Sequence, residues 1–226
     1  MALILNIDTA IDKVSVCLAK DGNVIVLAED ENNKDHGKWL HNAINIMMTN
    51  HFTLNELHAV SVSIGPGSYT GLRIGLSTAK GLCYVLKIPL ITIGTLEMMA
   101  FAARMEEADL LCPMIDARRN EVFTALFTKD QIMLMEPCAM ILSQNSFDEY
   151  LSENKILFFG NGSKKTQSII QHPNAVFKHI AINASGLAYL SYQRFKNKIF
   201  ANLAYCEPLY LKEFHTGFAN QIQKKS

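Results

Sequence analysis

The second half of this 226-residue chain repeats the first. Ile7 and Asp8 match Ile115 and Asp116, Asp12 matches Asn120, Val14 matches Val122, and Leu18 matches Leu126. Further along, Gly65, Gly67 and Ser68 match Gly160, Gly162 and Ser163 in the same order. In each half an apolar run enters an acidic turn, and a later one enters G-x-G-S ahead of a helical pattern. Repeated units adopt one supersecondary structure, so the chain is expected to build two lobes of similar topology.

Within the first unit, Ala2 to Ile7, Lys13 to Ala19 and Asn23 to Glu29 read as strands. Turn signals at Asp8 to Asp12 and at Asp21-Gly22 make them an antiparallel meander. Leu40, Ala43, Ile44, Met47 and Met48 recur at helical spacing. Ala59 to Ile64 is a buried strand, Thr70 to Leu86 a helix, Pro89 to Ile93 a short strand, and Thr95 the cap of a further helix. This is the element order of an RNase H-like lobe. The expected fold is therefore α/β, with duplicated RNase H-like lobes of mixed sheet flanked by helices, in the actin-like ATPase and sugar-kinase (ASKHA) architecture. The first lobe is assigned to residues 1–106 and the second to 107–226, divided where polarity rises at Glu106 to Leu110, with the tail after about residue 206 returning to the first lobe.

Lys plus Arg and Asp plus Glu number 21 each, and the cations occur as scattered pairs such as Arg118-Arg119 and Lys164-Lys165. A protein that holds nucleic acid alone carries a basic face, so any such ligand is expected to be held mainly by a partner. The five cysteines form no C-x-x-C pair and sit in apolar contexts, which argues against structural zinc and a disulfide framework. Apolar runs such as Ala59 to Ile64 are strand-length, too short to span a membrane. The first strand leaves no room for a leader, and a cytoplasmic location is expected.

Proteins of this architecture clamp nucleotide phosphates with the opening hairpin of each lobe, whose glycines let backbone N–H groups approach the anion. Here Asp8-Thr9-Ala10-Ile11-Asp12 has no glycine, and Asp116-Ala117-Arg118-Arg119 puts two bulky cations at the turn. A working ATP site is not expected, and both aspartates read as acceptors for turn N–H groups. In the string Gly65-Pro66-Gly67-Ser68-Tyr69-Thr70-Gly71-Leu72-Arg73-Ile74-Gly75, Ser68 or Thr70 can cap the following helix. Gly65, Gly67, Ser68 and Thr70 form either a tight strand-to-helix turn or a cleft loop open to an anion. Beyond it, Gly71, Gly75, Thr78 or Ala79, and Leu82 share one helical face, while Leu72, Leu76, Cys83 and Leu86 supply a separate core face. The small-residue stripe then reads as free for a partner, with Arg73 a charge beside it and Trp39 and Ile46 an apolar surplus on the preceding helix. Gly75→Leu is accordingly expected to spare the fold and abolish partner binding. His36 and His41 lie roughly 140° apart around a helix and do not converge on a metal.

Ile7-Asp8-Thr9-Ala10, the Gly65 to Gly75 string, Ile115-Asp116-Ala117-Arg118 with Glu121-Val122-Phe123, and Glu207-Pro208-Leu209-Tyr210-Leu211 together resemble the bacterial TsaB (YeaZ) family from residue 2 to about residue 212. The resemblance implies a non-catalytic subunit of the machinery that makes threonylcarbamoyladenosine on tRNA. Its implied partners are a larger paralogue, TsaD, which carries a metal and transfers the threonylcarbamoyl group, and a small ATPase, TsaE, which uses ATP with Mg. It implies no cofactor for this chain, contact with tRNA only through the complex, and a partner surface on the two first-lobe helices that also supports a homodimer. TsaD binds its metal through His-x-x-x-His; here Leu40 stands where the second histidine would follow His36. Two competing readings are a peptidase, which needs a nucleophile with a base or a metal, and a small-molecule kinase, which needs open phosphate hairpins.

Overall fold

The structure is a computed structural model and describes residues 1–30 and 35–212. Strands β1 (Leu3–Asp8), β2 (Ser15–Lys20) and β3 (Asn23–Glu29) form the opening meander, followed by α1 (His36–His51), β4 (Ala59–Ser63), α2 (Tyr69–Leu86), β5 (Leu90–Ile93) and α3 (Thr95–Ala102). Strands β4 and β5 join in parallel, giving the order β3-β2-β1-β4-β5. The second half builds β6 (Leu110–Asp116), β7 (Glu121–Thr128), β8 (Met133–Ile141), α4 (Asp148–Leu151), β9 (Ile156–Phe159), α5 (Ser163–Ile169) and β10 (Ala175–Phe177), then α6 (Ser185–Lys196). Its sheet order, β10-β9-β6-β7-β8, is the first order read from the opposite edge. The repeated residues occupy equivalent places. Asp8 and Asp116 end β1 and β6, and the G-x-G-S strings join β4 to α2 and β9 to α5.

Both faces of the first sheet are covered, which is why its central strands are apolar in and out of register. Leu3, Leu5, Ile7, Val60 and Val62 pack with Leu40, Ile44, Met47, Leu76 and Ala79 of α1 and α2. Ile4, Ala59, Ile91 and Ile93 face the other way, into a cluster with Leu96, Met98, Met99 and Ala100 of α3, Leu187 of α6, and Leu111, Ala125, Phe127 and Phe159 of the second sheet. Helix α3 therefore lies between the two sheets and is apolar apart from Thr95 and Glu97, as a helix buried on most sides must be. Thr95 opens this helix but does not cap it; Gly94 holds the cap position, and the Thr95 hydroxyl accepts from the Gly65 N–H at 3.1 Å.

Helix α6 comes late in the chain but packs on the first sheet, touching β1, β2, β3, β4 and β5. The assignment of 107–226 to one lobe is corrected there. The cause is shape: Ala184 and Ala188 meet Cys17 and Ala19, the Gly186 Cα faces Met98, and the Ala184 N–H donates to Ser15 Oγ at 2.8 Å. Arg194 then ties α6 to α3 through Nη2, which donates to both Glu97 carboxylate oxygens, and to β5 through Nη1 on the Thr92 carbonyl. Residues 201–210 continue over the first lobe, and Lys212 reaches Glu121 of β7. Ala201 bridges Leu90, Lys80 Nζ donates to the carbonyls of Ala204 and Cys206, and the Leu209 N–H donates to Ile64 O.

Candidate functional site

Two surfaces merit comparison with function: the cleft between the opening hairpins and the outer face of α1 and α2. In the cleft, Asn161 stands in the second G-x-G-S string where the first has Pro66. Its Nδ2 donates to both carboxylate oxygens of Asp12 at 3.0 Å, and its Oδ1 accepts from the Asp116 N–H at 2.8 Å. One side chain thus bridges the two hairpins that would have to part around a phosphate. Lys165 completes the obstruction, with Nζ 2.6 Å from Asp116 Oδ1 and 2.9 Å from the Arg119 carbonyl, and its contact holds the Asp116 carboxyl below the ordinary carboxylate range. The residues present do not fit a nucleotide clamp. Asp116 takes the Arg118 N–H at 2.7 Å, and Asp8 takes that of Ala10 at 3.1 Å, each the turn acceptor that its position in the repeat predicts.

Asp8 differs from Asp116 in being wholly buried. Burial raises its pKa, opposed in part by the Ser63 hydroxyl at 2.5 Å and the Ala10 N–H, while Oδ2 has no partner. A folded-state pKa above the unfolded one favours folding at low pH and is lost as pH rises through the folded value. Asp8→Asn, which cannot ionise, is therefore expected to gain stability relative to the parent between pH 4 and pH 7, read as urea midpoints. A constant difference across that range would mean that Asp8 is ionised throughout.

The G-x-G-S loop of the first lobe is a packed turn. Gly65 has φ +119°, and a Cβ there would strike the Leu209 carbonyl. Its pseudo-equivalent, Gly160, has φ +94° and sits equally tight on Met114 O. The Ser68 N–H donates to Ala10 O at 2.7 Å, and the Gly71 N–H to Ser68 Oγ at 3.2 Å, so Ser68 is the cap of α2. Ser68 and Thr70 are exposed, Gly67 is half-buried, and Gly65 is buried. With the N–H groups of Gly65, Ser68 and Gly71 already donating within the chain, the loop offers an anion little.

The second surface corrects the reading of the stripe. Gly71, Gly75 and Thr78 are buried, and Cβ atoms at Gly71 and Gly75 would run into the backbone carbonyl and the Oγ1 of Thr9. The two glycines exist so that α2 can press on the first hairpin of its own lobe. Trp39 and Leu82 are half-buried against the same core. Arg73 is exposed, with its guanidinium 3.9 Å over the Tyr69 ring and Nε 3.1 Å from the Tyr210 hydroxyl. Of the seven residues, Ile46 alone presents a free apolar side chain, 51% exposed. The sequence reading missed Tyr84 and Val85 at the end of α2, 77% and 74% exposed. Their signal was available, since both fall off the Leu72, Leu76 and Cys83 face.

The remaining chemistry is sparse. Burial pushes the thiols of Cys17 and Cys112 up to about 12 and that of Cys83 to about 11, which removes them as nucleophiles. Among the described residues no group of three or more His, Cys, Asp and Glu side chains could hold a metal ion, and no helix is long and apolar enough to cross a membrane.

A family model described as TsaD, tRNA N6-adenosine threonylcarbamoyltransferase, matches residues 29–216. The tRNA threonylcarbamoyladenosine biosynthesis protein TsaB of Bacillus subtilis is 30% identical over 175 residues, covering 74% of this chain and 75% of that protein. The chain belongs to the TsaB (YeaZ) family. The Escherichia coli TsaB match reaches 36% identity over 129 residues but spans only 57% of this chain and 56% of its relative. YeaZ from Pseudomonas aeruginosa superposes with a TM-score of 0.80 at 20% identity, over 93% of this chain and 100% of that one, which establishes a shared fold. The TsaB resemblance read from the motifs is thereby upheld, and so is the duplicated α/β architecture.

Proposed function

We propose that the chain is a non-catalytic scaffold and activator subunit of the bacterial complex that makes threonylcarbamoyladenosine on tRNA. It docks on the catalytic paralogue TsaD, which transfers the threonylcarbamoyl group to the adenosine 3′ of the anticodon in tRNAs reading codons that begin with A, and it works alongside the ATPase TsaE. The observation that carries this reading is the outer face of α1 and α2. Ile46, Tyr84 and Val85 leave apolar area in water on helices whose other faces are fully engaged, and such area marks a contact surface. The cleft supports it too, because Asn161 and Lys165 tie up the polar groups of the two opening hairpins that a phosphate clamp would turn toward its ligand. ATP with Mg is then required on TsaE and a metal on TsaD, with no cofactor on this chain. The same face can serve a homodimer when TsaD is absent. The relatives' names, which specify tRNA modification, support a cytoplasmic site of action.

The test is a threonylcarbamoyl transfer assay on unmodified tRNA with TsaD, TsaE, the adenylate-forming enzyme, threonine, bicarbonate and ATP. Product only when this chain is added, and none from this chain by itself, is the expected result. Equal product without it would overturn the assignment.

A further inference from the structure

Charges are balanced over the whole chain but not at the mouth of the interlobe cleft. A cavity of about 620 Å³ opens there between the first hairpin (Ile11, Asp12, Lys13), α5 (Lys164, Gln167) and the segment 177–183. Lys13, Lys164 and His179 line it and are exposed, and their side chains make no hydrogen bond or ion pair among the described residues. The second hairpin stands beside the cavity, tied to its wall through Asn161, and carries Arg118 and Arg119 outside the lining itself. Both are exposed and held at positive φ by the turn, and neither side chain has an acid within ion-pair distance among the described residues.

Of the acids nearby, Asp116 is paired with Lys165, Glu121 with Lys212 and Glu106 with Lys178, while Asp12 has only the neutral amide of Asn161. Asp12 and Glu29 are the two acids of the cavity wall without a cationic partner among the described residues, against four unpaired cations at its mouth in Lys13, Lys164, Arg118 and Arg119. The cations come from three segments that only the fold brings together, and the Asn161 bridge fixes their spacing.

We infer that this mouth contacts the phosphate backbone of an unpaired stretch of RNA, with Lys13, Arg118, Arg119 and Lys164 as the contact residues. The inference deepens the reading of the chain as a subunit of a tRNA-modifying complex and rests on it. Each exposed Lys or Arg that neutralises a phosphate releases a cation condensed on the nucleic acid. An unpaired strand is favoured over a duplex because the cavity lining includes Ile11, Met99, Phe177, Ile180 and Ile182, apolar side chains that can receive a base turned out of its stack. The expectation that tRNA is touched only through the partner is thereby narrowed: the partner supplies most of the grip, and this chain adds a local one.

The experiment is fluorescence anisotropy of labelled, unmodified tRNA with the complex of this chain and TsaD, at several salt concentrations. The reversal set Lys13→Glu, Arg118→Glu, Arg119→Glu and Lys164→Glu is compared, as pairs, with a remote pair of equal charge change, Lys129→Glu with Lys155→Glu. Melting curves confirm that each variant is folded. Each pair at the mouth is expected to weaken binding about tenfold or more and to reduce the salt slope by about one per lost phosphate contact, while the remote pair stays within about twofold. Equal effects of mouth and remote pairs, or none from either, would overturn the inference. So would displacement of the RNA by free ATP at equal phosphate concentration, which would make the mouth a nucleotide site. A transfer assay that still requires this chain, beside unchanged tRNA affinity of the variants, separates failure here from failure of the subunit assignment.

Discussion

Gly75→Leu is expected to destabilise the protein by about 3 kcal/mol or more, and the same substitution at Gly81, two turns along the same helix, by nothing. Both sites gain helix propensity, since Gly costs about 0.8–1 kcal/mol against good helix formers. What separates them is what the new side chain meets. At Gly75 even a Cβ collides with the Thr9 hydroxyl, and a leucine adds three further carbons to a buried contact; at Gly81 nothing lies within 4 Å. Overpacking a filled site costs typically about 1–3 kcal/mol and occasionally more, and a leucine at Gly75 belongs at the upper end. In a domain of this size each kcal/mol moves the melting temperature by about 2–4 °C. Scanning calorimetry should therefore show Gly75→Leu melting about 6–12 °C low, and Gly81→Leu level with the parent or slightly above. Equal melting temperatures would mean that α2 stands off the hairpin and that the stripe is available to a partner after all.

The double change Tyr84→Asp with Val85→Asp is expected to have the opposite character, leaving the fold intact and removing association with TsaD. Both side chains are about three-quarters exposed, so their replacement deletes little packing. Large exposed apolar groups at the centre of an interface each carry about 2 kcal/mol or more, and burying two carboxylates in their place adds a desolvation penalty. A loss of at least about 100-fold in affinity follows, since each 1.4 kcal/mol is tenfold. Titration calorimetry against TsaD, with circular dichroism to confirm the fold, reads it directly. Undiminished affinity would put the interface elsewhere and leave the exposed end of α2 without explanation.

These two variants also mark how far the sequence could be read. The repeat predicted both sheets, their common strand order and the equivalence of the G-x-G-S loops, because period and turn chemistry are local properties. The helical face was legible too: Leu72, Leu76 and Cys83 are buried as their spacing predicts. The destination of a second face on the same helix was not. Gly71 and Gly75 permit close approach by any backbone, and only the three-dimensional return of the chain past Thr9 decides which one. Asn161 shows the converse, a functional difference hidden inside a repeat. Laying Gly65-Pro66-Gly67-Ser68 on Gly160-Asn161-Gly162-Ser163 would have singled it out, but its partners Asp12 and Asp116 are joined by tertiary structure alone. Helix α6 escaped for the same reason, since nothing in Ser185 to Lys196 says which of two similar sheets it will cover.

That last helix sets an order of events during synthesis. The ribosome releases β1 to β5 early, with every strand of the first sheet in hand, yet the face carrying Asn6, Cys17, Ala19 and Ser61 stays uncovered until residues 185–196 have emerged. Those residues follow the whole second sheet, so the lobe begun first is finished last. A nascent chain stalled before α6 holds a completed second sheet beside a half-covered first one, and its N-terminal half cannot mature as an autonomous domain.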